Sequence, residues 1–424
     1  MIHVFKFGGA SVKDAEGVKN LAKIVDFNKD KKILIVVSAM GKTTNALEQL
    51  TAAYVNGDQQ VYPLVETVKN YHYQLANELF TNPEHPIFNQ IANTFVEIDW
   101  MLEEEPHPDY DFNYDQIVSI GELLSTHIVS AYLNDRKLTN RWTDARSYIH
   151  TDNTYREGIV NWDKTCDSIH AALPAVLDKQ FIVTQGFIGG TSENFTTTLG
   201  REGSDYTAAI FASCLKAESL TIWKDVPGVL NTDPKLFTNT KKYDELSYAE
   251  ALEMTYYGAT VIHPKTIRPL QNNNIPLLVK PFLNPTEAGT RIQNTTTNTH
   301  TQPAIIVKKN QALISIATKD LSFITENHLS TILSYFASSH LKINMMQLSA
   351  LSFSACFDWD KLRFEKLHHF MQEQFNLTYQ TELALITVQH FNPDLIKQLS
   401  ANKTILMEQT SSNTAQIVLK ELTN

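Results

Sequence analysis

The chain has 424 residues, enough for two or three domains at about 100–200 residues each. Apolar residues make up 43% and charged residues only 19%, with a formal net charge of −10, so the basic surface that a nucleic-acid partner needs is missing. Fifteen Gly and fifteen Pro exclude collagen-like and low-complexity classes, and no apolar run of about eighteen residues predicts a membrane helix. The first residues, 1–12 (MIHVFKFGGASV), read as a short strand and a glycine turn rather than as a leader segment. The cysteines Cys166, Cys214 and Cys356 are far apart, odd in number and without metal-ligand spacing, which suits a reducing compartment. The expectation is a soluble cytoplasmic protein with neither a nucleic-acid nor a membrane partner.

Residues 3–7 form a β-rich run broken by Gly8-Gly9, and Val12, Ala15, Val18, Leu21, Ala22 and Val25 then recur at helical spacing. Residues 32–37 (KILIVV) are continuously apolar, the mark of a strand buried on both faces of a parallel sheet. Strand, turn, helix, strand is the grammar of α/β proteins. Residues 59–105 predict two helices, the second over 87–102. Residues 116–133 predict one strong helix that places Glu122 in an apolar setting. Strands follow at 181–184 and 220–223, helices at 204–215 and 248–257, and a last strand at 276–279.

Residues 293–303 (QNTTTNTHTQP) have no apolar residue to bury and mark a boundary. Beyond them the order is strand 312–317, helix 329–337, strands 343–348 and 351–357, helix 362–375 and strand 384–388. That is a β-α-β-β-α-β, ferredoxin-like unit. A helix at 393–399 and strands near 405–408 and 415–419 suggest a second, shorter unit of the same kind.

Several segments carry chemistry. Gly8 and Gly9, between a strand and a helix and just after Lys6, allow backbone N–H groups to approach an anion; on spacing alone an ordinary tight turn with a surface lysine is the preferred explanation. Gly41-Lys42-Thr43 resembles a P-loop ending, but residue 36 is Val where the pattern needs Gly. Residues 196–205 (TTTLGREGSD) bring hydroxyls, glycines and Arg201 to a helix start, and a guanidinium there can clamp a carboxylate. Glu122 either holds a substrate ammonium or is a buried structural acid. Residues 224–229 (KDVPGV) and 232–234 (TDP) are turns against which a nucleotide can lie, or plain Pro-Gly turns.

Together, residues 6–12 (KFGGASV), 37–45 (VSAMGKTTN), 121–126 (GELLST), 184–189 (TQGFIG), 196–208 (TTTLGREGSDYTA), 223–228 (WKDVPG), 232–234 (TDP) and 258–264 (GATVIHP) resemble the aspartate kinases of the amino-acid kinase family over essentially the whole length. The resemblance implies an α/β/α parallel-sheet kinase domain over 1–292, a linker at 293–303 and two ferredoxin-like ACT units over 304–424. The first would cover about 311–383. The second, apparently truncated, would be built from about 304–310 plus 384–424.

The implied activity is ATP-dependent phosphorylation of the β-carboxylate of L-aspartate, with Mg²⁺, in the route to lysine, threonine and methionine. Lys6 and Asp205 are then catalytic, the first binding phosphate oxygens and the second orienting the lysine. Arg201 holds the substrate α-carboxylate and Glu122 its amino group, with Thr44, Phe187, Thr198 and Ser204 lining the pocket. Gly8, Gly9, Ser38, Lys224, Asp225, Lys235, Thr260 and Val261 fall with Lys6 on the ATP site. No metal ligand is assigned among the side chains.

The resemblance also implies a homodimer through the ACT region and an amino-acid effector, lysine first, near Asn344, Met345 and Ser349. Departures stand at Ala10, Leu230 and Thr260, and at Leu348 and Ala350 in the effector segment. Alternatives are an amino-acid kinase for another acidic substrate and an amino-acid-sensing ACT protein with a decayed kinase site.

Overall fold

The computed structural model describes residues 1–259, 262–295 and 302–421. The chain divides into two compact units. The first is Met1–Val229, Lys242–Leu252 and Val261–Thr297, and the second is Leu230–Lys241, Glu253–Thr260 and Asn298–Asn424.

In chain order the elements before residue 298 are β1 (Ile2–Phe7), α1 (Ala15–Phe27), β2 (Lys32–Val37), α2 (Thr43–Val55), α3 (Val61–Leu79), α4 (Pro86–Glu103), α5 (Tyr110–Val118), α6 (Ile120–Asp135), β3 (Asn140–Thr143), α7 (Trp162–Leu177), β4 (Phe181–Gln185), β5 (Ile188–Gly190), β6 (Thr196–Thr198), α8 (Gly203–Cys214), β7 (Ser219–Lys224), β8 (Glu245–Ser247), α9 (Tyr248–Tyr257), α10 (Pro264–Asn272), β9 (Leu277–Pro281) and β10 (Thr290–Gln293). The main sheet runs β3-β4-β2-β1-β7-β9-β10-β8. Its strands from β3 to β9 are mutually parallel, and β10 pairs antiparallel with β9. β2 is buried at five of its six residues, as expected of a strand covered on both faces. The core joins Phe5, Phe7, Ile35 and Val37 of the sheet to Leu21, Leu75, Phe95 and Leu124 of the helices.

The single helix predicted over 116–133 is two helices. α5 begins at Tyr110, where the Asp109 carboxylate accepts the Asp111 N–H, and α6 starts afresh after Ser119. The Ser119 hydroxyl bonds back to the Gln116 carbonyl at 3.0 Å, the local competition that interrupts helices at serine. The structure also departs from the expectation of unpaired cysteines: Cys166 on α7 and Cys214 on α8 form a disulfide, and Cys356 is free and buried. Their separation of 48 residues conceals the packing of α7 on α8 that brings them together. Among the described residues no helix is long and apolar enough to cross a membrane.

The second unit contains β11 (Ala304–Thr318), α11 (Glu326–Ser338), β12 (Ile343–Leu348), β13 (Ser352–Asp358), α12 (Lys361–Met371), β14 (Phe375–Gln389), α13 (Pro393–Ser400), β15 (Lys403–Thr410) and β16 (Thr414–Glu421). They form one antiparallel sheet, β12-β13-β11-β14-β16-β15. The two expected ferredoxin-like halves share it, because β11 and β14, 15 residues each, run through both and shift register between Lys308 and Gln311. One half packs α11 and α12 on Ile314, Ile316, Phe336 and Phe364, and the other packs α13 on Ile386, Val388, Ile396 and Ile417. Phe375, read as the end of a helix, opens β14; it joins the same core as Phe364 and Met371, so its burial alone does not reveal its backbone.

Candidate active site

β1 and β7 are adjacent and parallel, with Lys6 opposite Ile222. Lys6 and Lys224 therefore emerge near the carboxyl ends of neighbouring strands, the edge where α/β sheets bind ligands. Between them, in the first turn of α8, stands Asp205. Its Oδ1 lies 2.5 Å from Lys6 Nζ and its Oδ2 3.3 Å from Lys224 Nζ. Lys6 and Asp205 are both buried. Burial works to raise the Asp205 carboxyl, but Lys6 and Lys224 reverse this and hold it below the ordinary range. Two cations on one anion leave an excess positive charge, a suitable setting for anionic oxygens.

The glycine turn after β1 packs against the loop after β2. A Cβ on Gly9 would lie 2.5 Å from the Ala39 carbonyl, so that turn admits no side chain. A Cβ on Gly8 would stand 3.5 Å from Lys6 Nζ, which puts the turn's backbone beside the ammonium. The Ser125 hydroxyl of α6 holds the Ser38 carbonyl at 2.7 Å and fixes the same loop.

One turn earlier on α6 is Glu122, 2% exposed. Its Oε1 accepts the Ala39 N–H at 3.3 Å, and its buried Oε2 has no hydrogen-bond partner. Burial pushes the carboxyl up to about 8, against the Ala39 N–H and Lys6, which favour the charged form. An unpartnered buried carboxylate oxygen is costly unless something completes it, and the prediction that Glu122 lies inside an apolar segment agrees with this setting. Thr44 is half-buried in the first turn of α2.

The third wall comes from the β5–β6 hairpin and the start of α8. Phe187 has φ 74° and donates its N–H to the Thr207 hydroxyl at 2.9 Å. A Cβ on Gly186 would fall 2.5 Å from Ser204 Cβ, so this glycine admits Ser204 against the strand end. Thr198 is fully buried and gives its hydroxyl to Asp115 at 2.7 Å. Arg201 is exposed, and no hydrogen bond from its guanidinium occurs among the described residues.

Other candidates are placed differently. Asp225 is exposed in the loop after β7. Lys235 is exposed and belongs to the second unit. Thr260 and Val261 lie outside the described residues. In the second unit, Asn344 accepts from Lys308 and donates to Gln311 and Asp358, Met345 is a core residue beside Cys356, and Ser349 bonds Ser352 in an exposed turn. The Asn344 and Met345 side chains are thus already engaged inside the fold.

Two residues escaped sequence reasoning. Asp115 is completely buried on α5, and its partners are distant in sequence, so no local pattern marks it. Glu202 caps α8 with φ 54°, and its buried Oε2 is unpartnered. Burial raises its carboxyl, helped by Asp205 and opposed by Lys224, Lys6 and Arg201. Among the described residues no group of three His, Cys, Asp or Glu side chains is placed to hold a metal ion.

The profile of the Amino acid kinase family matches residues 1–281. Lysine-sensitive aspartokinase 3 of Escherichia coli is 30% identical over 84% of this chain and 78% of its own length. Aspartokinase 2, chloroplastic, of Arabidopsis thaliana is 31% identical over 89% of this chain and 70% of its own length. The crystal structure of E. coli aspartokinase III with aspartate and ADP superposes with a TM-score of 0.82 at 27% identity, covering 99% of this chain and 96% of that one. The same enzyme with lysine and aspartate gives a TM-score of 0.82 over 98% and 95%. With its parallel sheet, its strand-end lysines and these relatives, the chain belongs to the amino acid kinase family, in its aspartokinase branch.

Proposed function

We infer that the chain transfers the γ-phosphoryl group of ATP to the β-carboxylate of L-aspartate, giving 4-phospho-L-aspartate and ADP. The observation that carries this reading is the buried Lys6–Asp205 pair with the half-buried Lys224 at the carboxyl edge of the sheet, faced by an incomplete carboxylate at Glu122. Nucleophile and phosphoryl group are both anionic, so positioning and positive charge supply most of the catalysis. Lys6 meets the transferring phosphoryl oxygens, Asp205 holds its ammonium in place, and Lys224 stands on the nucleotide side with Gly8, Gly9, Ser38 and Asp225. A substrate carboxylate is already nucleophilic at neutral pH and needs no strong base. Mg²⁺ enters with the nucleotide and neutralises phosphate charge.

Arg201 receives the α-carboxylate and Glu122 the α-ammonium, with Thr44, Phe187 and Ser204 around them. Arg201→Lys keeps the charge and loses the two-pronged geometry. It raises the aspartate KM by about tenfold with little effect on the ATP KM; equal effects on both would remove Arg201 from the aspartate site. The reading as a whole is tested by ADP release with L-aspartate, L-glutamate and UMP offered singly. Turnover with aspartate alone supports it, and turnover only with another acceptor, or with none, contradicts it.

The second unit supports a homodimer and an amino-acid effector. β12 is an edge strand with exposed Met346 and Leu348. Leu321, Phe323 and Leu351 are exposed beside it, where the Ile324 N–H bonds the Ala350 carbonyl. An apolar, unpaired sheet edge is a ready interface. Leu348→Glu converts a dimer to a monomer in light scattering; an unchanged mass would place the interface elsewhere. Strand-end backbone groups near Ser349 are the proposed effector contacts, with lysine the first amino acid to test. Solution in the cytoplasm is the setting this reading assumes.

A further inference from the structure

β6 is one strand of a two-stranded ribbon and, among the described residues, pairs with β5 alone. The Leu199 N–H bonds the Phe187 carbonyl at 2.9 Å, so by antiparallel alternation the backbone groups of Thr196 and Thr198 face away from β5. Buried edge groups of this kind need partners. Two consecutive side chains of α5 supply them. The Gln116 amide accepts the Thr196 N–H at 3.1 Å and donates to the Thr196 carbonyl at 2.9 Å. Asp115 Oδ2 accepts the Thr198 N–H at 2.8 Å, and Oδ1 accepts the Thr198 hydroxyl at 2.7 Å. The remaining Thr198 carbonyl takes the Gly158 N–H at 2.8 Å. Asp115 Oδ2 also accepts the Arg156 N–H at 2.8 Å, at a residue with φ 65°.

Asp115 is 0% exposed, and no salt bridge to it occurs among the described residues. The Arg156 guanidinium lies instead over the Tyr114 ring and pairs with Asp111. A buried carboxylate without a counter-ion is retained at a cost. Here three donors satisfy it, two on Thr198 of β6 and one on the Arg156 backbone.

We propose that Asp115, with Gln116 beside it, is a positioning residue that stands in for a third strand on the open edge of β6 and so fixes the following loop, residues 199–202, with Arg201 at the height where it receives the substrate carboxylate. The proposal rests on the assignment of Arg201 to aspartate. Thr198 ends β6 and Gly203 begins α8, so a slip of β6 displaces Arg201 directly. Lys6 and Lys224 are carried by β1 and β7, which α5 does not hold, and the nucleotide side is unaffected.

The test uses Asp115→Asn, which keeps the volume but turns an amide N–H₂ toward donors, and Asp111→Asn as a charge-matched control on the same helix. Aspartate KM rises about tenfold or more in Asp115→Asn, and ATP KM stays within about twofold. Amide hydrogen exchange of residues 196–203 in the ligand-free protein accelerates at least tenfold, whereas β1 and β7 are unchanged. Asp111→Asn changes none of these. A parallel rise of both KM values, or exchange of 196–203 equal to wild type, overturns the proposal. Should the wild type itself not phosphorylate aspartate, the assigned reaction fails, and the exchange result alone decides on the strand-mimicking contact.

Discussion

Lys6→Ala lowers kcat by about 10²–10³-fold, the usual effect of removing one preorganised charge that faces developing phosphoryl negative charge. The ammonium it removes is buried, 2.5 Å from Asp205 and beside the Gly8 turn. Deleting one partner of a buried ion pair strands the other. Asp205 retains Lys224 at 3.3 Å, so the variant folds with a lowered melting temperature instead of failing to fold. Steady-state turnover and thermal unfolding check the two halves of the result. A variant within about threefold of wild-type kcat would exclude Lys6 from the chemistry.

Glu122→Gln raises the aspartate KM by about tenfold or more at pH 7 and spares the ATP KM, because it removes the charge that the substrate ammonium needs. The pH dependence is more specific. In the empty site Glu122 carries its proton up to about pH 8. Holding an ammonium requires the carboxylate, so aspartate binding expels that proton. The aspartate KM of the wild type therefore falls as pH rises from 6 toward 8, by up to about tenfold per unit, and the variant's does not. Stability has the opposite sign. An unfolded glutamate loses its proton near its ordinary value of 4.5, whereas the folded one keeps it to about 8. The folded state thus binds more protons between these values, and rising pH lowers the stability that this group permits. Glu122→Gln removes that loss, so its melting temperature exceeds the wild type's at pH 8 by more than at pH 5. A wild-type aspartate KM that is flat with pH, together with a variant of unchanged affinity, would return Glu122 to a structural role.

What was legible in the sequence follows from physical signal strength. Buried strands such as Lys32–Val37 declare themselves because both faces are apolar, and Tyr248–Tyr257 shows an undisturbed helical period. The break at Ser119 was hidden, since Ser119 has helical dihedrals and its neighbours keep the apolar period across it. The short β5–β6 ribbon was hidden too: its strands are three residues long, and its polar threonines are buried only because α5 supplies their partners. The local contexts of Lys6, Glu122 and Asp205 left a tight turn, a structural acid and a helix cap open, and only the resemblance to the aspartate kinases implied their roles. Asp115 was not legible, because its three donors arrive from 41 and 83 residues away in sequence. The Cys166–Cys214 pair failed for the same reason, as spacing does not reveal which helices pack together.

The most direct test of the central claim is to trap the product. The protein is incubated with ATP, Mg²⁺ and L-aspartate in the presence of hydroxylamine, and the hydroxamate is identified by mass spectrometry. An acyl phosphate on the side-chain carboxyl gives aspartate β-hydroxamate in step with ADP; none forms without aspartate, and with Lys6→Ala it forms about 10²–10³-fold more slowly. ADP release without β-hydroxamate, or hydroxamate formed at the α-carboxyl, would contradict the placement of Arg201 and Glu122 around the substrate and, with it, the proposed reaction.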